Sequence, residues 1–138
     1  MKFLHSMIRV VDLNASLTFY SDALGLNLIR HKDYPDGRFS LYYFASAAGE
    51  PEVELTHNWD NATYTNGNNF GHLAFSVSDI YATCLRLQQA GVTILRPPRD
   101  GKMAFIKDPN GISIELLQEG IALAPQQPWL SMQNTGSW

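Results

Sequence analysis

Residues 3–13, FLHSMIRVVDL, and residues 69–80, NFGHLAFSVSDI, are two copies of one pattern. In each copy a histidine opens an alternating stretch and an aspartate follows seven residues later, His5 to Asp12 and His72 to Asp79. Alternation with period two reads as a half-buried strand. Helical spacing takes over directly afterwards. In LNASLTFYSDALG (13–25) it links Leu13, Leu17, Tyr20 and Leu24; in DIYATCLRLQQAG (79–91) it links Ile80, Cys84, Leu87 and Ala90. Asn14 is a candidate N-cap for the first helix and Ser78 or Asp79 for the second, while Gly25 and Gly91 read as stops. Asp12 and Asp79 suit capping better than chemistry.

The repeat continues past each glycine. A short strand follows, LNLIRH (26–31) in the first half and VTILR (92–96) in the second. Each half then closes with a hairpin. SLYYFAS pairs with PEVELTHN across Ala47-Ala48-Gly49, and KMAFIKD pairs with ISIELLQ across Pro109-Asn110-Gly111. Each half therefore reads β-α-β-β-β and ends in an acidic strand, Val53-Glu54-Leu55 or Ile114-Glu115-Leu116. The expected fold class is α+β. One βαβββ module spans 1–58, a polar linker 59–69, a second module 70–119, and a C-terminal tail 120–138 that carries Trp129 and Trp138.

Composition narrows the function. With 138 residues, 45% hydrophobic and 17% charged, the chain can bury a real core. A net charge of −3 with scattered Lys and Arg argues against nucleic acid, and no apolar run is long enough to span a bilayer. His5 and Arg9 interrupt the apolar N-terminal stretch, so a signal peptide is not expected and a cytoplasmic protein is. The single cysteine, Cys84, excludes an intrachain disulfide and a thiolate zinc site, and its place in a helical pattern suits a buried apolar role.

Strand alternation also assigns faces. His5, Met7 and Arg9 share one face of their strand, and Glu52, Glu54, Thr56 and Asn58 share one face of theirs. In the second half, His72 lies with Ala74 and Ser76, and Glu115 with Ser113 and Leu117. A single His or Glu on such a face is ordinarily just solvated. Two His and two Glu at equivalent positions of a repeat form an N2O2 donor set for a first-row divalent metal. His57 and His31 read as surface residues, the latter in a polar loop, and Tyr42, Tyr43 and Phe44 as strand core.

The segments LHSMIRVVDLNASLTFYSDALGL, VELTHNW, GHLAFSV and AFIKDPNGISIELL resemble glyoxalase I of the vicinal oxygen chelate superfamily, over residues 3 to about 118. Glu54 followed by Leu-Thr-x-Asn-Trp separates it from relatives that lack this carboxylate. The resemblance implies two modules whose sheets cup around a metal held by His5, Glu54, His72 and Glu115. It implies isomerisation of the methylglyoxal–glutathione hemithioacetal to S-lactoylglutathione through an enediolate, with Glu115 as the base and Glu54 as its symmetric counterpart. It places Arg9 and Asn58 at the γ-glutamyl group of glutathione. The loop Arg96 to Met103 then falls at the glycyl carboxylate, where Arg99, Lys102 and Met103 are the candidates. The family forms homodimers with each site shared between two chains.

The chain departs from that pattern in three places. The Arg96–Met103 loop is short, Asn68-Asn69 stand where longer members carry an arginine, and the tail is extra. The short overall length resembles the subgroup activated by Ni²⁺ or Co²⁺ more than the one using Zn²⁺. Competing readings are another metalloenzyme of the superfamily, such as an epimerase or thiol transferase, and a metal-free binding module of the same fold.

Overall fold

The computed structural model describes residues 1–60 and 62–138, which form two units, 1–65 and 66–138. The first contains β1 (His5–Val10), α1 (Leu13–Thr18), β2 (Asn27–Tyr34), β3 (Phe39–Ala45) and β4 (Glu52–Asn58). These strands form one sheet in the order β1-β4-β3-β2, with β1 parallel to β4 and the other pairings antiparallel. The second contains β5 (His72–Val77), α2 (Ile80–Gln89), β6 (Met103–Lys107) and β7 (Ser113–Gln118), ordered β5-β7-β6 with β5 parallel to β7. In both units the histidine-bearing strand pairs in parallel with the acidic strand. It also stands at the edge of its sheet.

The aspartates of the repeat start both helices. The Asp12 carboxylate accepts from Ala15 N, and that of Asp79 accepts from Tyr81 N and Ala82 N. Asp12, rather than Asn14, is thus the first cap. Gly25 and Gly91 end the helical segments at φ +76° and +82°, a region in which a Cβ would be strained.

The first helix is not the continuous one its spacing predicts. After Thr18 it widens into a π-helical turn, Phe19–Ala23, in which Leu24 N–H reaches Phe19 O at 2.9 Å. The Ser21 hydroxyl takes the Leu17 carbonyl at 2.7 Å, the kind of local bond that disturbs helical winding. The buried stripe consequently becomes Ser16, Phe19, Tyr20 and Ala23 instead of Leu13, Leu17, Tyr20 and Leu24. Tyr20 packs on Phe44 in the first core, where Leu55 and Val10 are also buried. Ile80, Cys84 and Leu87 of α2 are fully buried, as are Ile106 and Ile114 of the second unit. Each such side chain contributes about 1.5–3 kcal/mol.

Two strand expectations change. His31 lies within β2, where cross-strand pairing carries the ladder to Tyr34↔Phe39 and stacks the His31 ring on its partner Tyr42 at 4.4 Å. Conversely, 92–96 does not form a fourth strand in the second unit. Only Arg96 bridges Phe105, and beyond it Pro97-Pro98 have no N–H with which to extend the ladder. Among the described residues no helix is long and apolar enough to cross a membrane.

Candidate metal centre

The register of the parallel pairs places the acids. Glu54 lies opposite Met7, two residues beyond His5, and Glu115 lies opposite Ala74, two residues beyond His72. The same diagonal brings His5 Nε2 to 2.9 Å from Glu54 Oε2 and His72 Nε2 to 3.1 Å from Glu115 Oε2. The histidine side chains are 37% and 42% exposed and the glutamates 11% and 16%, so each pair rests on its sheet with the imidazole toward the open side. Among the described residues, no three or more His, Cys, Asp or Glu side chains gather where a metal could be held. The four candidate ligands are thus two pairs.

The pairs differ in what holds the acid. Thr56 Oγ1 donates to Glu54 Oε1 at 3.3 Å, whereas the equivalent position beyond Glu115 is Leu117, which has no donor. Glu52, on the same face as Glu54, is committed elsewhere. Arg30 grips both its oxygens at 3.2 and 2.7 Å and holds its carboxyl below the usual carboxylate range.

Sequence reasoning missed the rings beside the histidines. Tyr43 lies opposite Glu54 and meets His5 edge-on at 5.9 Å; Phe105 lies opposite Glu115 and meets His72 edge-on at 5.4 Å. Burial, and then the nearby Glu54 charge, push the Tyr43 phenol above its ordinary value. The signal was in the hairpins: counting back from their turns puts one aromatic residue opposite each acid.

The other candidates fall in distinct settings. Arg9 is exposed on β1. Asn58 donates to the Tyr64 hydroxyl at 2.6 Å on the wall of a pocket of about 400 Å³, formed by the end of β4 and the following loop with Val10 and Val11. Arg99 donates to Met132 O and Asn134 Oδ1 at 2.9 and 3.0 Å, and Lys102 Nζ to Gln118 O and Gly120 O at 2.7 and 2.8 Å. Met103 is half-buried at the start of β6.

Residues 2–116 match the model of the glyoxalase/bleomycin resistance protein/dioxygenase superfamily. The chain belongs to this superfamily. Within it, the chain is 46% identical to a probable lactoylglutathione lyase of Synechocystis sp. over 125 residues, covering 86% of this chain and 95% of that one. It is 42% identical to the lactoylglutathione lyase of Neisseria meningitidis serogroup A over 126 residues, covering 86% and 91%. A solved superfamily structure, the trypanothione-dependent glyoxalase I of Leishmania major, superposes with a TM-score of 0.82 at 34% identity, covering 86% of this chain and 87% of that one. The superfamily match ends two residues before β7 does, which leaves the segment after it outside.

Proposed function

We propose that the chain is a lactoylglutathione lyase that isomerises the hemithioacetal of methylglyoxal and glutathione to S-lactoylglutathione. The observation that carries this is the duplicated His–Glu pair, in a chain 42–46% identical to proteins bearing that name. The pairs fit a metal. Two donors about 2.1 Å from one ion and at right angles to each other lie about 3.0 Å apart, close to the 2.9 and 3.1 Å found here. A neutral imidazole nitrogen facing a carboxylate oxygen is a suitable donor pair for Ni²⁺, Co²⁺ or Zn²⁺, and the first two are our preferred activators.

A bound divalent ion would acidify the substrate C–H beside the carbonyl it polarises. His5, Glu54, His72 and Glu115 would hold the ion, with Thr56 keeping Glu54 in place. Glu115, which lacks such a restraint, is the group free to move a proton. It takes the proton from the carbon bearing the hydroxyl and sulfur and returns it to the neighbouring carbon, while the hydroxyl proton passes to the other oxygen. No atom is gained or lost. Proton transfer by a positioned carboxylate supplies on the order of 10²–10⁴-fold.

Two pairs from two copies make a full ligand set, so the proposal includes a homodimer in which the first unit of one chain faces the second unit of its partner. Arg9, exposed on the His5 strand, and Asn58 suit the γ-glutamyl end of the thiol. Arg99 and Lys102 remain candidates for the glycyl end, although both already hold carbonyls of the later chain. The reading includes a cytoplasmic setting, in keeping with a lone cysteine, Cys84, that forms no disulfide.

The test is isomerisation of the methylglyoxal–glutathione hemithioacetal by EDTA-stripped protein, read from thioester absorbance after separate addition of Ni²⁺, Co²⁺ or Zn²⁺. Activity returns with metal, and Glu115→Gln abolishes it by at least about 10²-fold. Metal-loaded protein without isomerase activity would sink the proposal and point to another reaction of the superfamily.

A further inference from the structure

Each histidine of the two pairs is backed by two layers, and the outer layers differ. In the first unit the edge of His5 meets Tyr43 of β3, and the Arg30 guanidinium of the neighbouring strand β2 lies over that ring, 3.4 Å from its centroid. In the second unit the edge of His72 meets Phe105 of β6, which occupies the place of Tyr43. No strand corresponding to β2 is there to supply an Arg30, because 92–96 makes a single bridge. The Trp138 indole instead lies over Phe105, with centroids 5.2 Å apart and planes 18° from parallel.

Trp138 is brought there by a docked segment. Thr135 N donates to Leu95 O at 3.0 Å and Thr135 Oγ1 to Ile94 O at 2.9 Å, so this segment is docked on 94–95. Arg99 binds Met132 O and Asn134 Oδ1, and Trp129 is buried to 4% exposure. The docked residues, 129–138, lie outside the superfamily match, which ends at residue 116.

We propose that residues 134–138, docked on 94–95, brace the second unit, and that Trp138 is a positioning residue that holds Phe105 against His72 and so fixes the imidazole for metal binding. The proposal rests on the metal reading above. An offset ring stack restricts the inner ring, and that ring restricts the imidazole it meets edge-on. Partners behind a ligand set its orientation and hence its affinity for metal. Trp138 is itself 43% exposed, so replacing it leaves the core intact.

The experiment is Ni²⁺ affinity of the metal-stripped full chain, measured by competition with a chromophoric chelator. Wild type is compared with Trp138→Ala, Trp138→Phe and Thr135→Val, each checked by far-UV circular dichroism. Trp138→Ala binds Ni²⁺ about 2- to 12-fold more weakly, the worth of an aromatic pair, while Trp138→Phe stays within about twofold of wild type. Thr135→Val, which loosens the segment without touching the rings, falls between them. Wild-type affinity in Trp138→Ala, or an equal loss in Trp138→Phe, overturns the proposal. Should Trp138→Ala fail to fold, an unchanged affinity in Thr135→Val does the same. A wild-type chain that takes up neither Ni²⁺ nor Co²⁺ nor Zn²⁺ overturns the metal reading instead.

Discussion

Replacing Gly101 with alanine tests how closely the segment after β7 is fitted to the second unit. Gly101 has φ +65°, and a Cβ built on it would lie 2.0 Å from Leu123 O. Real Cβ contacts essentially never fall below 3.0 Å, so Leu123 must retreat by about 1 Å, and the obstacle is backbone rather than a flexible side chain. That retreat strains or breaks the bond from Leu123 N to Gly101 O, now 3.0 Å, which is worth about 0.5–1.5 kcal/mol. Left-handed backbone adds about 1–2 kcal/mol for any L-residue with a Cβ. With about 1–3 kcal/mol of overpacking, the sum for Gly101→Ala is about 2.5–6.5 kcal/mol. Gly91→Ala is the control, since its φ is +82° but nothing lies within 4 Å of the added Cβ; it costs only the conformational part, about 1–2 kcal/mol. Urea unfolding of wild type and both variants measures the difference. Equal losses in the two variants would refute the close approach of Leu123 to the Arg96–Met103 loop.

Three further outcomes follow from the same structure. Burial pushes the Cys84 thiol up to about 12, so a thiol reagent at mild alkaline pH labels it only as fast as the chain unfolds; rapid stoichiometric labelling of folded protein would contradict its place in the core. Burial raises the Asp100 carboxyl, but bonds from Arg96 and from the Lys102 and Met103 N–H groups outweigh it and bring it down to about 2. A depressed acid stabilises above its unfolded value near 3.8 and loses that contribution as pH falls toward 2, so Asp100→Asn is less stable at neutral pH and the gap closes over that window. With its side chain 45% exposed, solvent screening limits the neutral-pH gap to no more than about 1 kcal/mol, and a gap that persisted below pH 2 in thermal melts would rule out this origin. Asp79→Ala removes two capping bonds from α2 and costs about 1 kcal/mol by the same melts, with no loss expected if the cap were idle.

The candidate site positions were legible in the sequence because they obey local periodicities. Two histidines, two glutamates, two capping aspartates and two stopping glycines recur in step, and strand alternation alone puts each His and Glu on one face. The family followed from the same residues. Tertiary structure decided what depends on pairing partners distant in the chain. β2 outruns its apolar pattern because β3 supplies a ladder as far as Phe39, whereas 92–96 is apolar enough for a strand but ends at two prolines that cannot donate. The π turn, set by a hydroxyl competing for one carbonyl, rotates the buried stripe of the first helix in a way no 3.6-residue count reveals. The backing of the histidines also lay beyond sequence reading. Arg30 over Tyr43 and Trp138 over Phe105 join residues 13 and 33 positions apart, and side chains so separated meet only because strand register and a docked segment place them together.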